Sequence, residues 1–81
     1  MSISMPITPA QCRAGRALVE LDQAHLARQA NVSRNVIVDF EKGRRTPTTN
    51  NLAAIRAALE AAGVEFTNGG DQPGVRPKTD I

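Results

Sequence analysis

The stretch Asp22–Gly43, DQAHLARQANVSRNVIVDFEKG, admits few folds. Leu26, Ala27 and Ala30 fall at i, i+1 and i+4, which is one face of a helix over Gln23–Ala30. Asp22 stands where an N-cap belongs. Asn31 follows, and asparagine is one of the few side chains that tolerates the left-handed backbone a tight corner needs. Val32 then points inward, and Ser33 is placed to cap a second helix by accepting from the free N–H groups of its first turn. That helix is predicted from Arg34 to Lys42, stopping at Gly43. Ile37 and Phe40, three apart, face Leu26 and Ala27, while Arg34, Asn35, Val38 and Asp39 occupy the opposite face. Two short helices packed at a corner, with one polar outer face, are what the pattern permits.

On Gln23, Leu26, Ala27, Asn31, Val32, Ser33, Ile37, Phe40, Glu41 and Gly43, the stretch resembles the helix-turn-helix of the Xre family, which includes phage Cro proteins and repressors. The resemblance extends over roughly residues 8 to 66. It implies an all-α fold, a compact four- to five-helix bundle of the lambda-repressor-like DNA-binding type. It also implies sequence-specific binding to double-stranded DNA, usually as a homodimer. It does not say which gene is controlled.

Composition bounds the rest. Eighty-one residues make one small domain with a limited core. Two aromatics, Phe40 and Phe66, leave that core to aliphatic and alanine side chains. Ten basic residues stand against eight acidic ones, so where the charges lie matters more than their sum. Cys12 is the lone cysteine and His25 the lone histidine, which excludes an intrachain disulfide and any multi-cysteine metal site. No Ser-His-Asp or Cys-His set and no phosphate loop is present, so the chain reads as a non-enzyme without cofactor or metal. No apolar run has signal-peptide or membrane length, and a cytoplasmic location is the default expectation.

Along the chain, residues 1–7 are expected to be loose. Thr8-Pro9-Ala10-Gln11 starts a helix: Thr8 caps, Pro9 sits where its missing N–H costs nothing, and Gln11 completes a capping box. This helix is predicted to run to about Glu20, with Ala14, Ala17, Leu18 and Leu21 facing inward. Gly15 in mid-helix costs about 1 kcal/mol against alanine, for which close approach of another helix is a reason. By spacing alone Arg16 and Glu41 are either surface charges or a pair. The family resemblance implies an ion pair that locks the first helix to the end of the third.

Lys42, Arg44 and Arg45 put three positive charges in four residues directly after the third helix. Such a run is either a solvated loop or, as the resemblance implies, a segment laid against the DNA backbone. Pro47 keeps Thr46 out of the helical region, and Thr48 or Thr49 caps a fourth helix from about Asn50 to Ala62, ending at Gly63. Leu52, Ile55 and Leu59 form its inner stripe. Its many alanines are explained by helix propensity or by a close dimer contact. Val64-Glu65-Phe66-Thr67 alternates as a short strand, and Gly74-Val75-Arg76 is a second, limited by Pro77. The organisation expected is thus a loose 1–7, a domain over 8–67, and a hairpin or flexible tail over 68–81 whose last residues, 77–81, are disordered.

Recognition follows from groove chemistry. The major groove accepts one α-helix, whose first turn meets base edges. Arg34 offers paired bonds to guanine and Asn35 to adenine; Val38 suits a thymine methyl. Asp39 accepts from cytosine, orients Arg34, or simply faces solvent. Gln23 matches a family position that anchors to phosphate, with Ser33, Lys42, Arg44, Arg45 and Thr46 as the other phosphate contacts. Two or three base contacts at roughly 1–3 kcal/mol each are too few for an operator, which argues for a homodimer on an inverted repeat. The alternative is an antitoxin-like or other protein-interaction module on the same fold, gripping a protein partner through the C-terminal segment.

Overall fold

The computed structural model describes residues 6–67 and 73–78. Four helices, α1 (Pro9–Leu18), α2 (Gln23–Ala30), α3 (Arg34–Glu41) and α4 (Thr49–Ala62), are followed by two strands, β1 (Val64–Thr67) and β2 (Gly74–Pro77). The strands pair antiparallel, Val64 opposite Pro77 and Thr67 opposite Gly74. Together they make the helix bundle with a C-terminal hairpin that the pattern predicts.

Each helix begins on a side-chain cap: Thr8, Asp22, Ser33 and Thr48 accept from the third backbone N–H beyond them. Each also ends by turning the chain left-handed, at Glu20 (φ 53°), Asn31 (φ 59°), Gly43 (φ 74°) and Gly63 (φ 114°). The turn at Glu20 shortens α1 by two residues against expectation. The Glu20 and Leu21 N–H groups bond back to the Ala17 and Arg16 carbonyls, a Schellman closure that swings Leu21 onto the core and frees Asp22 to cap α2. Asn31 closes α2 in the same way, with Val32 N–H on the Ala27 carbonyl.

The core is aliphatic, with Cys12, Leu26, Ile37, Ile55, Leu59 and Val64 fully buried and Phe40 nearly so. Leu52, Ile55 and Leu59 lie inward on α4 as their spacing predicts, joined by Ala58. The inward face of α1 is not the expected one. Ala14, Ala17 and Leu18 are exposed, Leu18 at 42%, and the buried positions are Gln11, Cys12 and Gly15. The reason lies in what α1 meets. Its neighbours are the α3 carboxyl end and the hairpin, which present a carboxylate and peptide carbonyls, so polar and small residues serve there better than leucine. Gly15 does mark a close approach, to Leu59 of another helix, α4, and also to Val64 of β1: a Cβ there would lie 3.4 Å from Val64 Cγ1 and 3.7 Å from Leu59 Cδ1.

Two boundaries also shift. Ile7, expected to be loose, is 4% exposed and part of the core. The hairpin is no tail: Gln11 Nε2 donates to the Gly74 carbonyl at 3.0 Å and the Thr67 carbonyl at 3.4 Å, tying both strands to α1. Pro77, expected in a disordered end, pairs with Val64, and Lys78 N–H reaches the Gly63 carbonyl at 2.8 Å. Pro77 costs the ladder nothing because it stands at a non-donating place on an edge strand. Phe66 packs against the core, with the Arg56 guanidinium of α4 at 5.2 Å from its ring centre. Residues 1–5, 68–72 and 79–81, on which the remaining boundary expectations fall, lie outside the described residues.

Candidate nucleic-acid interface

The outer surface of α3 is built from its own short sequence. Val36, Ile37, Phe40 and Glu41 are buried, so the rest of an eight-residue helix has only one way to face. Arg34 and Asn35 stand exposed in the first turn; Val38 and Asp39 follow one turn on, both half-buried. Ser33, just before them, accepts from Val36 N–H at 3.3 Å and is otherwise exposed. Lys42, Arg44, Arg45 and Thr46 are all exposed beyond the other end. The chain turns there on Gly43, with Arg44 N–H bonded to the Asp39 carbonyl at 2.9 Å. The fold therefore brings Arg34, Asn35, Val38 and Asp39 onto one face and sets the basic segment at its end.

What fixes α3 is a single buried carboxylate. Glu41 is 4% exposed, and each of its oxygens accepts two hydrogen bonds. Oε2 accepts from Arg16 Nε at 2.6 Å and from the Cys12 thiol at 3.1 Å; Oε1 accepts from Arg16 Nη2 at 2.7 Å and from Gln23 Nε2 at 3.0 Å. Arg16 adds a third bond, Nη1 to the Leu21 carbonyl at 3.1 Å, which braces the turn between α1 and α2. Three helices thus meet on one side chain of α3. The fork-on-fork geometry of guanidinium and carboxylate sets orientation as well as strength.

The protonation states follow. Burial pushes the Glu41 carboxyl upward, but the bonds from Arg16, Cys12 and Gln23 outweigh it and hold it below the usual carboxylate range. The hydrogen bonds to the Glu41 carboxylate in turn raise Arg16. Burial, then the bond to the Glu41 carboxylate, pushes the Cys12 thiol well above its ordinary value, so it stays protonated and donates. The site is an anion held by one cation and two neutral donors.

Some placements differ from the sequence reading. Gln23, for which a phosphate contact is expected, is half-buried and gives one amide proton to Glu41. Cys12 and Arg13, which that reading left unused, both reach α3: Cys12 through its thiol, and Arg13 through Nη1 to the Glu41 main-chain carbonyl. A signal was present. Cys12 and Arg16 are four apart and share a helical face, so a face read from Arg16 rather than from the leucines finds Cys12. His25 lies exposed on α2 with Arg28 Nη2 at 3.2 Å from its Nδ1, and no His, Cys, Asp and Glu group suited to a metal occurs among the described residues. No helix among them is long and apolar enough to cross a membrane.

Comparison with known proteins agrees with this arrangement. The model of a helix-turn-helix family matches residues 13–65. No curated protein matches the chain in sequence. Among solved structures, the DNA-binding domain (residues 1–76) of the P22 C2 repressor, determined by nuclear magnetic resonance, superposes with a TM-score of 0.62. The two are 28% identical, over 70% of this chain and 76% of that one.

Proposed function

This chain belongs to the helix-turn-helix family, and from that premise we propose that it is a sequence-specific DNA-binding transcriptional regulator that reads the major groove with α3. The observation that carries the reading is the pairing of an exposed Arg34-Asn35 first turn with a rigid anchor at Glu41. A helix that is to read bases must present its side chains from a fixed backbone, since a misplaced donor forfeits its bond. Arg34 addresses guanine O6 and N7, Asn35 adenine N6 and N7, and Val38 a thymine methyl. Asp39, one turn on, accepts from a cytosine amino group or steers Arg34.

Phosphates are met at both ends of the reading surface. Lys42, Arg44, Arg45 and the Thr46 hydroxyl serve one side. On the other, Ser33 keeps its hydroxyl proton for a phosphate while its oxygen caps α3. Gln23 commits one amide proton to Glu41 and keeps the second for a phosphate oxygen. One such module distinguishes too few bases to find one site in a genome, so the binding unit is a homodimer on an inverted repeat, half-sites about 34 Å apart.

The test is selection from a random-sequence duplex pool with the wild type and an Arg34→Ala/Asn35→Ala double variant. Enrichment of a short inverted repeat by the wild type, and its loss in the variant at unchanged fold, is the expected outcome. If the wild type enriches nothing, DNA reading is refuted and the search moves to protein partners of the same fold.

A further inference from the structure

The guanidinium of Arg13 has a place that the Glu41 cluster does not require. Its Nη1 donates to the main-chain carbonyl of Glu41, the last residue of α3, where helix carbonyls lack intrahelical partners. Arg13 is nonetheless an exposed residue. A guanidinium has five N–H donors in a rigid fork, and among the described residues only this one bond is made from Arg13. The remaining donors are held at the end of α3, beside the point where Lys42 and the basic segment emerge. At about 1.5 Å per residue an eight-residue helix is roughly 12 Å long, close to the width of the major groove. With its first turn among the bases, its last turn lies at the groove wall, where the phosphates run.

We infer that Arg13 is a DNA phosphate-binding residue, delivered from α1 and held in aim by the carboxyl end of the reading helix. This rests on the DNA-reading function proposed above. Two physical effects act together. The bond to the Glu41 carbonyl orders the long side chain before DNA arrives, so less freedom is lost on binding. The cation also offsets the negative pole of α3, which otherwise points its partial charge at the phosphates. Arg13 thereby joins Lys42 and Arg44 in one basic patch drawn from two distant parts of the chain.

The test uses the full chain and a mixed-sequence duplex of about two helical turns, roughly 20 base pairs, because backbone contacts do not depend on sequence. Affinity is measured against salt for wild type, Arg13→Gln and Arg13→Lys. Glutamine keeps a donor for the Glu41 carbonyl but loses the charge; lysine keeps the charge. Each phosphate contact contributes about 0.9 to the slope of log affinity on log salt. Arg13→Gln therefore lowers the slope by about 0.9, and the wild-type advantage grows about 3.5-fold between roughly 200 and 50 mM salt. Arg13→Lys keeps the wild-type slope. A wild-type slope in Arg13→Gln overturns the inference, even with weakened binding or a lowered melting temperature, because Arg13 is then a helix cap only. Arg13→Met gives the same reading should the glutamine variant not fold. A wild type with no salt-dependent affinity overturns the DNA-reading function itself, and this inference with it.

Discussion

Replacing Arg16 by methionine keeps the aliphatic stem and removes the three bonds that join Glu41 and the Leu21 carbonyl to α1. Glu41, 4% exposed in the wild type, is left with only the Cys12 thiol and the Gln23 amide as protein donors. Removing one partner of a buried pair costs about 3–5 kcal/mol. The Arg16 side chain is 20% exposed, so water reaches the vacated edge, and the lower end, about 3 kcal/mol, applies. A domain of this size has roughly 4–12 kcal/mol in all, so the variant folds but melts on the order of 12–24 °C lower. The pH dependence is the sharper test. In the wild type the Glu41 carboxyl is held below its usual range. Its contribution is therefore complete above the unfolded carboxylate pKa, about 4.3, and is lost as pH falls through the lower folded value. Without Arg16 the largest lowering influence is gone, and burial carries the carboxyl upward. The variant then loses stability as pH rises through the carboxyl range, the opposite sign. Urea melts of both proteins at about pH 4 and about pH 7.5 measure this. The deficit is largest at the higher pH and shrinks toward the lower. Adding Glu41→Gln to the variant recovers most of the loss and flattens its pH dependence. A deficit of equal size at both pH values would refute the argument, since the cost would not then reside in a stranded carboxylate.

Two further outcomes follow from the packing of α1. Gly15→Ala gains up to about 1 kcal/mol of helix propensity and places its methyl 3.4–3.7 Å from Val64 and Leu59, ordinary contact distances; thermal melts show a stability gain, and a lowered melting temperature would mean that Val64 cannot yield. The Cys12 thiol, fully buried and pushed upward, reacts with an aromatic disulfide reagent at mildly alkaline pH only through unfolding; a fast reaction in native buffer would contradict its burial against Glu41.

The helix-turn-helix was legible because local chemistry decides it. Asn31 is left-handed, Ser33 caps, and Ile37 and Phe40 turn inward, each as its own side chain dictates. Predicted and observed bounds of α2 coincide for the same reason. The face of α1 was not legible from apolar spacing. Its partners are a carboxylate and two strand carbonyls, so the residues that meet them are Gln11, Cys12 and the half-buried Arg16, while Ala14, Ala17 and Leu18 merely favour helix. Ile7 and Pro77 escaped for a related reason. Their places depend on segments far along the chain, and short-range pattern carries no record of those. The outer face of α3 could be read as a surface, but the inward turn of Gln23 needed the position of Glu41 in space.

The Gln11 side chain has a temporal meaning for a chain made from its N-terminus. Its carbonyl oxygen accepts from Thr8 N–H at 2.9 Å within the first helical turn, while its amide waits for acceptors 56 and 63 residues later. Until Thr67 and Gly74 have been synthesised, that amide has no strand carbonyl to meet. The partner of Arg16 and Cys12 lies only 25 and 29 residues away, on Glu41, so α1 can already hold α3 through them. A nascent chain can therefore carry the Glu41 cluster while the Gln11 end of α1 is still uncovered. The hairpin then closes over that end, and its arrival completes the cover of α1 rather than the anchor of α3.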